Sequence, residues 1–331
     1  MKRIAVGIVS LLLFVTLFAG GPKVARASPE VVLPVPSILY PTITAAIIAA
    51  TPGAWDEIHV DNNYTGTGET FPIVVNTNSL RIIGRVRSGL ITISTTVANQ
   101  PVIRVTASNV LIYGFIIQNA NAPGGCGIEI DAGTTNVQIW GNDITNNDVG
   151  VQIASSNNLI ACNTIETNNQ GIVIDANQQW NFIRGNNIQY NAVYGIVLNT
   201  DCTNNRIIYN FFTLNGLSHV NIITTLFNYW DDSLLPRWPP LYKGNYWSPL
   251  SDYASSPPNR DDYPNIISPF RIGDINQDER VDVLDLYMVV VGWFRVWCQV
   301  GWEPRADLDR SDRIDLADLN ILGISWGYRD P

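Results

Sequence analysis

Two acidic loops near the C-terminus hold the residues whose types and spacing most clearly do chemistry. Asp274, Asn276, Asp278, Arg280, Asp282 and Asp285 occupy positions 1, 3, 5, 7, 9 and 12 of a twelve-residue stretch. Asp307, Asp309, Ser311, Arg313, Asp315 and Asp318 repeat that arrangement 33 residues later. Side-chain oxygens at positions 1, 3, 5, 9 and 12, with a backbone carbonyl at 7, complete the shell of one hard cation. The two loops predict two calcium ions, favoured over softer metals by an all-oxygen donor set. Val281 and Ile314 both place an apolar residue at position 8. Beyond the loops, Leu286 matches Leu319, Met288 matches Ile321, Val289 matches Leu322, Val291 matches Ile324 and Trp293 matches Trp326. Each loop is therefore expected to lead into a short amphipathic helix. Without a cation the ligand aspartates repel one another, which couples binding to folding.

The stretches GDINQDERVDVLDL and ADLDRSDRIDLADL resemble the dockerin type I module, over about residues 273–327. The resemblance implies two bound calcium ions and docking onto a cohesin-like protein domain. Glu279 and Asp312 stand at position 6, where the sharp turn favours Gly, and Ser311 replaces a carboxylate or amide. The second loop is thus expected to bind more weakly. Positions 10 and 11, often small and polar contact residues in such modules, are Val283, Leu284, Leu316 and Ala317. They point to an apolar or intramolecular surface instead.

A second chemical candidate lies in the middle of the chain. Glu129 and Asp131 point outward from a strand after Gly127, and Asp175 shares the column of Asp131 with Ala154 between them. Two rungs of about 4.8 Å each place Asp131 and Asp175 about 10 Å apart. That is the far edge of the roughly 6.5–9.5 Å used by inverting glycosidases. The competing reading is ordinary solvent-facing acids. A lyase needs a basic proton acceptor, yet residues 109–215 hold no Lys and only Arg184 and Arg206. Copper needs clustered His, Cys or Met, whereas His59, His219 and Met288 are far apart in sequence. His219 falls at a turn-Gly column and is expected at the surface. Cys126, Cys162 and Cys202 sit at different repeat positions, and Cys298 lies between the two acidic loops, so no disulfide is assigned.

The elements that position these acids come from a repeat with a period near 22 residues. One column aligns Gly114, Asn142, Asn163, Asn186 and Asn210; a second aligns Asn119, Asn147, Asn168, Asn191 and Asn215. Apolar columns run beside them: Leu111, Ile139, Ile160, Ile183, Ile207; then Ile116, Ile144, Ile165, Ile188, Phe212. Two more follow a turn Gly: Ile128, Val151, Ile172, Ile196, Val220, and Ile130, Ile153, Ile174, Leu198, Ile222. Alternation of period 2 within each unit means short strands with one buried face. Coils of this length predict a right-handed parallel β-helix, with Asn at turns and amides stacked between rungs. Ile73–Val75, Leu80–Ile83, Leu90–Ile93 and Val102–Val105 extend it before residue 109. Open ends need caps. Thr42 to Ala50 reads as an amphipathic cap helix stopped at Pro52-Gly53, feeding a strand at Ile58–Val60. At the other end the aromatic residues between Tyr229 and Trp247 seal the last coil or stack sugar rings.

Lys2, Arg3, an apolar run from Ile4 to Ala19 and Ala25-Arg26-Ala27 form a secretory signal peptide, with cleavage expected after Ala27. The run is short for a membrane span, so no membrane insertion is expected after cleavage. Twenty basic against 29 acidic residues give a net charge of −9; without the leader's four basic residues it becomes −13. Such a surface argues against nucleic acid and anionic membranes. The expected organisation is a signal peptide (1–27), a β-helix with its N-terminal cap (28–247), a linker rich in Pro, Ser and Asp (248–272) and a dockerin-like domain (273–331). TITAAIIAATPG, the GNxI rungs, NYWDD and GNYWS resemble the secreted NosD-like, or carbohydrate-binding and sugar-hydrolase, β-helix repeats, over about residues 38–270. Three functions follow: an extracellular or cell-surface protein binding polysaccharide or surface components, a polysaccharide lyase or glycoside hydrolase, or a structural surface protein. Clustered ionisable residues in a groove would favour the enzyme, and an aromatic strip on one face would favour binding.

Overall fold

The computed structural model describes residues 31–85, 90–95, 97–230, 245–248, 255–256, 259–260, 283–292, 316, 319–320 and 322. Between Val32 and Ser248 the described strands form a parallel β-solenoid of right-handed type with about eight turns. Three parallel sheets of eight, seven and seven strands run along it. Sheet 1 stacks Val32–Val35, Glu57–Asp61, Leu80–Arg85, Val110–Tyr113, Gln138–Trp140, Leu159–Ala161, Phe182–Arg184 and Arg206–Ile208. Sheet 2 stacks Ile91–Ser94, Phe115–Gln118, Asp143–Thr145, Thr164–Glu166, Asn187–Gln189, Phe211–Thr213 and Tyr246–Ser248. Sheet 3 stacks Ile73–Val75, Ile103–Val105, Cys126–Ile130, Val149–Ile153, Gln170–Ile174, Tyr194–Leu198 and Ser218–Ile222. The period-2 alternation turns one residue of each pair inward, so the Ile columns form one continuous core.

Each corner is built from two residues. The first adopts positive φ, as at Gly141, Asn146 and Asn157 (φ 69°, 54° and 62°). The second is an inward Asn. Asn142, Asn163, Asn186, Asn210 and Asn245 stack at the corner from sheet 1 to sheet 2, each amide donating to the next Oδ1 at 2.9–3.2 Å. Asn147, Asn168, Asn191 and Asn215 do the same between sheets 2 and 3. A third stack, Asn158, Asn181, Asn205 and Asn228, lies between sheets 3 and 1; the sequence columns did not include it. Buried backbone groups that turn away from the sheets find their partners in these amides.

The register holds at every later rung but not at the first. Ile112, not Leu111, pairs with Ile139, and Ile117, not Ile116, pairs with Ile144. Asn119 therefore sits opposite Asn146, and Gly114 opposite Gly141. The reason is conformational: Asn119 supplies the positive-φ residue of its corner (φ 74°) rather than the inward amide, whose slot is filled by Ala120.

The N-terminal cap forms as expected. Helix α1 (Ile43–Ala49) starts at Thr42, whose hydroxyl accepts from the Ala45 amide. The Glu69 carboxylate accepts from the Ile43 and Thr44 amides at 2.8 and 3.0 Å, satisfying donors that a helix start leaves free. The other end is closed by Phe212 stacked on Trp247 (centroids 4.4 Å, 7°) beside buried Trp230. His219 is not at the surface: it is fully buried, its Nδ1 is 3.0 Å from the Asn215 amide, and its ring faces Phe212 and Trp247. It follows Gly127, Gly150, Gly171 and Gly195 in one column. A Cβ on Gly195 would meet the His219 carbonyl at 2.6 Å. Among the described residues no strand continues sheet 3 beyond Ser218–Ile222, so at 219 a side chain fits.

In the C-terminal region helix α2 spans Val283–Gly292. Equivalent positions of the two repeats share their burial among the described residues. Val283 and Leu316 are exposed, Leu286 and Leu319 half-buried, and Val289 and Leu322 fully buried.

Candidate functional site

Sheet 3 carries the proposed acids on its outward face. Glu129 is the outward residue of Cys126–Ile130, and Asp131 directly follows that strand. Gln152 pairs with Glu129 in the next rung, and Asp175 follows the strand after that. The missing member is Arg104, which pairs with Glu129 from the preceding rung. Its Nε is 3.0 Å from both Asp131 carboxylate oxygens and 3.5 Å from Glu129 Oε2. Gln152 Nε2 donates to both Asp175 oxygens at 3.2 Å, and the Cys126 thiol donates to Gln152 Oε1. Asp131 and Asp175 are thus not brought into contact; Ala154 and the Gln152 amide stand between their rungs. Burial pushes Glu129 above the usual carboxylate range, with Arg104 pulling it back and Asp131 and Asp175 adding repulsion. Burial also raises Asp175, against the Gln152 hydrogen bond, and lifts the Cys126 thiol to about 12.

Sheet 1 presents a different surface. Its two outward columns include Leu111, Leu159 and Phe182 in one, and Tyr113 and Trp140 in adjacent rungs of the other. All five are half-exposed. Trp55 lies beside the same sheet with the Arg81 guanidinium 5.2 Å from its ring. Arg184 and Arg206 stand 5.6 and 4.7 Å from the Phe182 ring.

The corner from sheet 1 to sheet 2 is recessed. Its positive-φ residues Gly114 and Gly141 are buried and Cys162, Gly185 and Tyr209 half-buried. At the next corner Asn146, Thr167, Tyr190 and Leu214 are exposed. Trp140 and Asp143 flank this recess, and the Trp140 Nε1 and one Asp143 carboxylate oxygen are enclosed without a hydrogen-bond partner. Burial, then repulsion from Glu166, raises Asp143 to about 6. Sequence columns could not reveal this recess, because its turn residues change type from rung to rung.

Of the expected calcium ligands, Asp285 lies in helix α2. Asp274, Asn276, Asp278, Arg280, Asp282, Asp307, Asp309, Ser311, Arg313, Asp315 and Asp318 lie outside the described residues, as do residues 1–27 and most of 248–282.

Residues 55–252 match the family model described as periplasmic copper-binding protein (NosD). Among solved structures, the alginate lyase from Paenibacillus sp. str. FPU-7 is 17% identical with a TM-score of 0.44, over 60% of this chain and 74% of the lyase. Geobacillus virus E2 ORF18 is 14% identical with a TM-score of 0.44, over 56% of this chain and 44% of its own. The enzymatically active domain of Bacteriophage CBA120 tailspike protein 2 gives 14% identity and a TM-score of 0.32, over 54% and 32%. This chain thus spans less than half the viral ORF18 structure. No curated protein matches the chain.

The described residues do not fit a copper ion. His59 Nε2 is held 2.7 Å from Glu57 in the second strand of sheet 1, while His219 is bonded to Asn215 in the last rung. Burial raises the Cys126 and Cys202 thiols and keeps them protonated. Among the described residues no three His, Cys, Asp or Glu side chains converge as a metal site.

Proposed function

The chain belongs to the NosD family, and from that premise we propose that it is an extracytoplasmic β-helix protein that binds an extended polysaccharide along the outward face of sheet 1. The observation that carries the reading is the half-exposed row of Tyr113, Trp140 and Phe182, with Leu111 and Leu159, on successive rungs. Flat aromatic faces bury the apolar faces of sugar rings. Apolar side chains spread over four rungs about 4.8 Å apart suit a ligand that is itself extended. The signal peptide at 1–27 carries the chain out of the cytoplasm; among the described residues no helix is long and apolar enough to cross a membrane. The dockerin-like module at 273–331, folded around two calcium ions, attaches it to a cell-surface component or a cohesin-like domain. The test is affinity electrophoresis of the full chain through a panel of soluble polysaccharides. Trp140→Ala should weaken binding about tenfold, roughly 1.4 kcal/mol, with unchanged circular dichroism. Retardation that is absent on every glycan, or unaffected by Trp140→Ala, defeats the reading.

A second reading, a glycoside hydrolase or polysaccharide lyase, is favoured by the raised Glu129 and Asp175 on sheet 3. A carboxyl whose proton is held more tightly than usual by burial is the kind of group a general acid uses. Hydrolysis that survives Asp131→Asn and Asp175→Asn together eliminates that pair.

A further inference from the structure

Among the described residues, Arg184 and Arg206 are arginines on the outward strips of the solenoid that form no ion pair. Arg81 is paired with Glu57 at 3.1 Å, and Arg104 with Asp131 and Glu129. Arg184 and Arg206 form no ion pair among the described residues, although acids outnumber bases 29 to 20 in this chain. Both approach one ring instead. Phe182 and Arg206 are direct cross-strand partners, and Arg184 follows Phe182 by two residues on the same outward side. Their guanidinium centres lie 4.7 and 5.6 Å from the Phe182 centroid. Arg184 is exposed, and Phe182 and Arg206 are half-exposed. Two cations on adjacent rungs repel each other, and one aromatic ring offsets only part of that repulsion. An anion placed between them removes it.

We infer that Phe182, Arg184 and Arg206 form a subsite for a sugar bearing a carboxylate, so that the polysaccharide of sheet 1 is a uronate polymer. This rests on the sheet 1 reading above. A planar guanidinium donates two parallel N–H groups to a carboxylate, a geometry no hydroxyl reproduces. The ring of Phe182, within about 6 Å of both guanidinium groups, supplies an apolar surface for the sugar ring. The acidic body repels a polyanion at long range. At physiological salt that repulsion fades beyond about 8 Å, so recognition acts at contact distance.

The test compares a galacturonate oligomer with the same oligomer methyl-esterified at its carboxylates, by calorimetry on the full chain in 0.15 M salt. Wild type should bind the free acid at least tenfold more tightly than the ester. Arg184→Gln with Arg206→Gln should abolish that preference while leaving ester binding unchanged. Trp140→Ala should weaken both oligomers alike. Equal wild-type binding of acid and ester, each still dependent on Trp140, overturns the carboxylate subsite and leaves the sheet 1 reading standing. A preference that persists in the double variant also overturns it. No binding of either oligomer overturns the carboxylate subsite and leaves the sheet 1 reading to the wider glycan panel.

Discussion

Replacing Asn186 by alanine tests whether the amide stacks hold the solenoid together. Asn186 is fully buried. Its Oδ1 accepts from the Asn163 backbone amide and from Asn163 Nδ2, both at 3.0 Å. Its Nδ2 donates to the Ile160 carbonyl and to Asn210 Oδ1, both at 2.9 Å. Truncation breaks all four bonds, but the losses differ. Asn163 Nδ2 keeps the Ile139 and Ala161 carbonyls, and Asn210 Oδ1 keeps the Asn186 backbone amide. The Asn163 N–H and the Ile160 carbonyl lose the side-chain partner that Asn186 provided. At about 1–3 kcal/mol for each buried group left unmet, the expected destabilisation is about 2–6 kcal/mol. Asn157→Ala is the control, because that residue is exposed and supplies only positive φ (62°); its cost should stay near 1–2 kcal/mol. Urea unfolding of both variants measures the difference. A loss at Asn186 no larger than the loss at Asn157 would refute the argument that the stacked amides, rather than the Ile columns alone, fix the rungs.

The Asp143 carboxyl is raised from 3.8 to about 6 by burial and by Glu166. The fold therefore keeps this proton longer than the unfolded chain does, and stability falls as pH rises from about 3.8 to 6. Asp143→Asn should remove that slope: relative to wild type it gains stability between pH 3.5 and 7, and parallel curves would contradict the burial argument. At the calcium module, Asp285→Ala in the full chain should cost more affinity than Ser311→Ala, since it removes a charge and a bidentate ligand position. Calorimetry that finds no calcium bound by the wild-type chain would defeat the module altogether. A stoichiometry of one would show that Ser311 and Asp312 have already cost the second loop its site.

The core of the solenoid was readable because inward positions tolerate little: Ile139, Ile160, Ile183 and Ile207 repeat a shape that close packing demands. The N-terminal helix was readable for a similar reason, its cap and stop residues being local. The first rung was not, since Leu111 and Ile112 are both apolar and only register separates them. The third stack was legible in principle, since Asn158, Asn181 and Asn205 each lie five residues before a member of the first Asn column. Arg104 lies outside the columns, which begin at residue 109, although Ile103–Val105 aligns directly with Ile128–Ile130. Tyr113, Trp140 and Phe182 form no column of one residue type; what they share is a face, which only the pairing of strands defines. The acids Glu129, Asp131 and Asp175 were found on the outward side where expected, but their environment was set by Arg104 and Gln152, neighbours distant in sequence.

The side chain at residue 219 makes growth of this molecule directional. A copied coil inserted upstream of it meets glycine above and below and can be threaded into the stack without remodelling. A coil appended downstream would have to lay its backbone on an imidazole already seated against Phe212 and Trp247. Duplication can therefore lengthen this solenoid from within while its final coil is carried along unchanged. Among relatives of different length, a coil bearing a bulky residue downstream of the glycine run from Gly127 to Gly195 should mark the terminus, whatever number of coils precedes it.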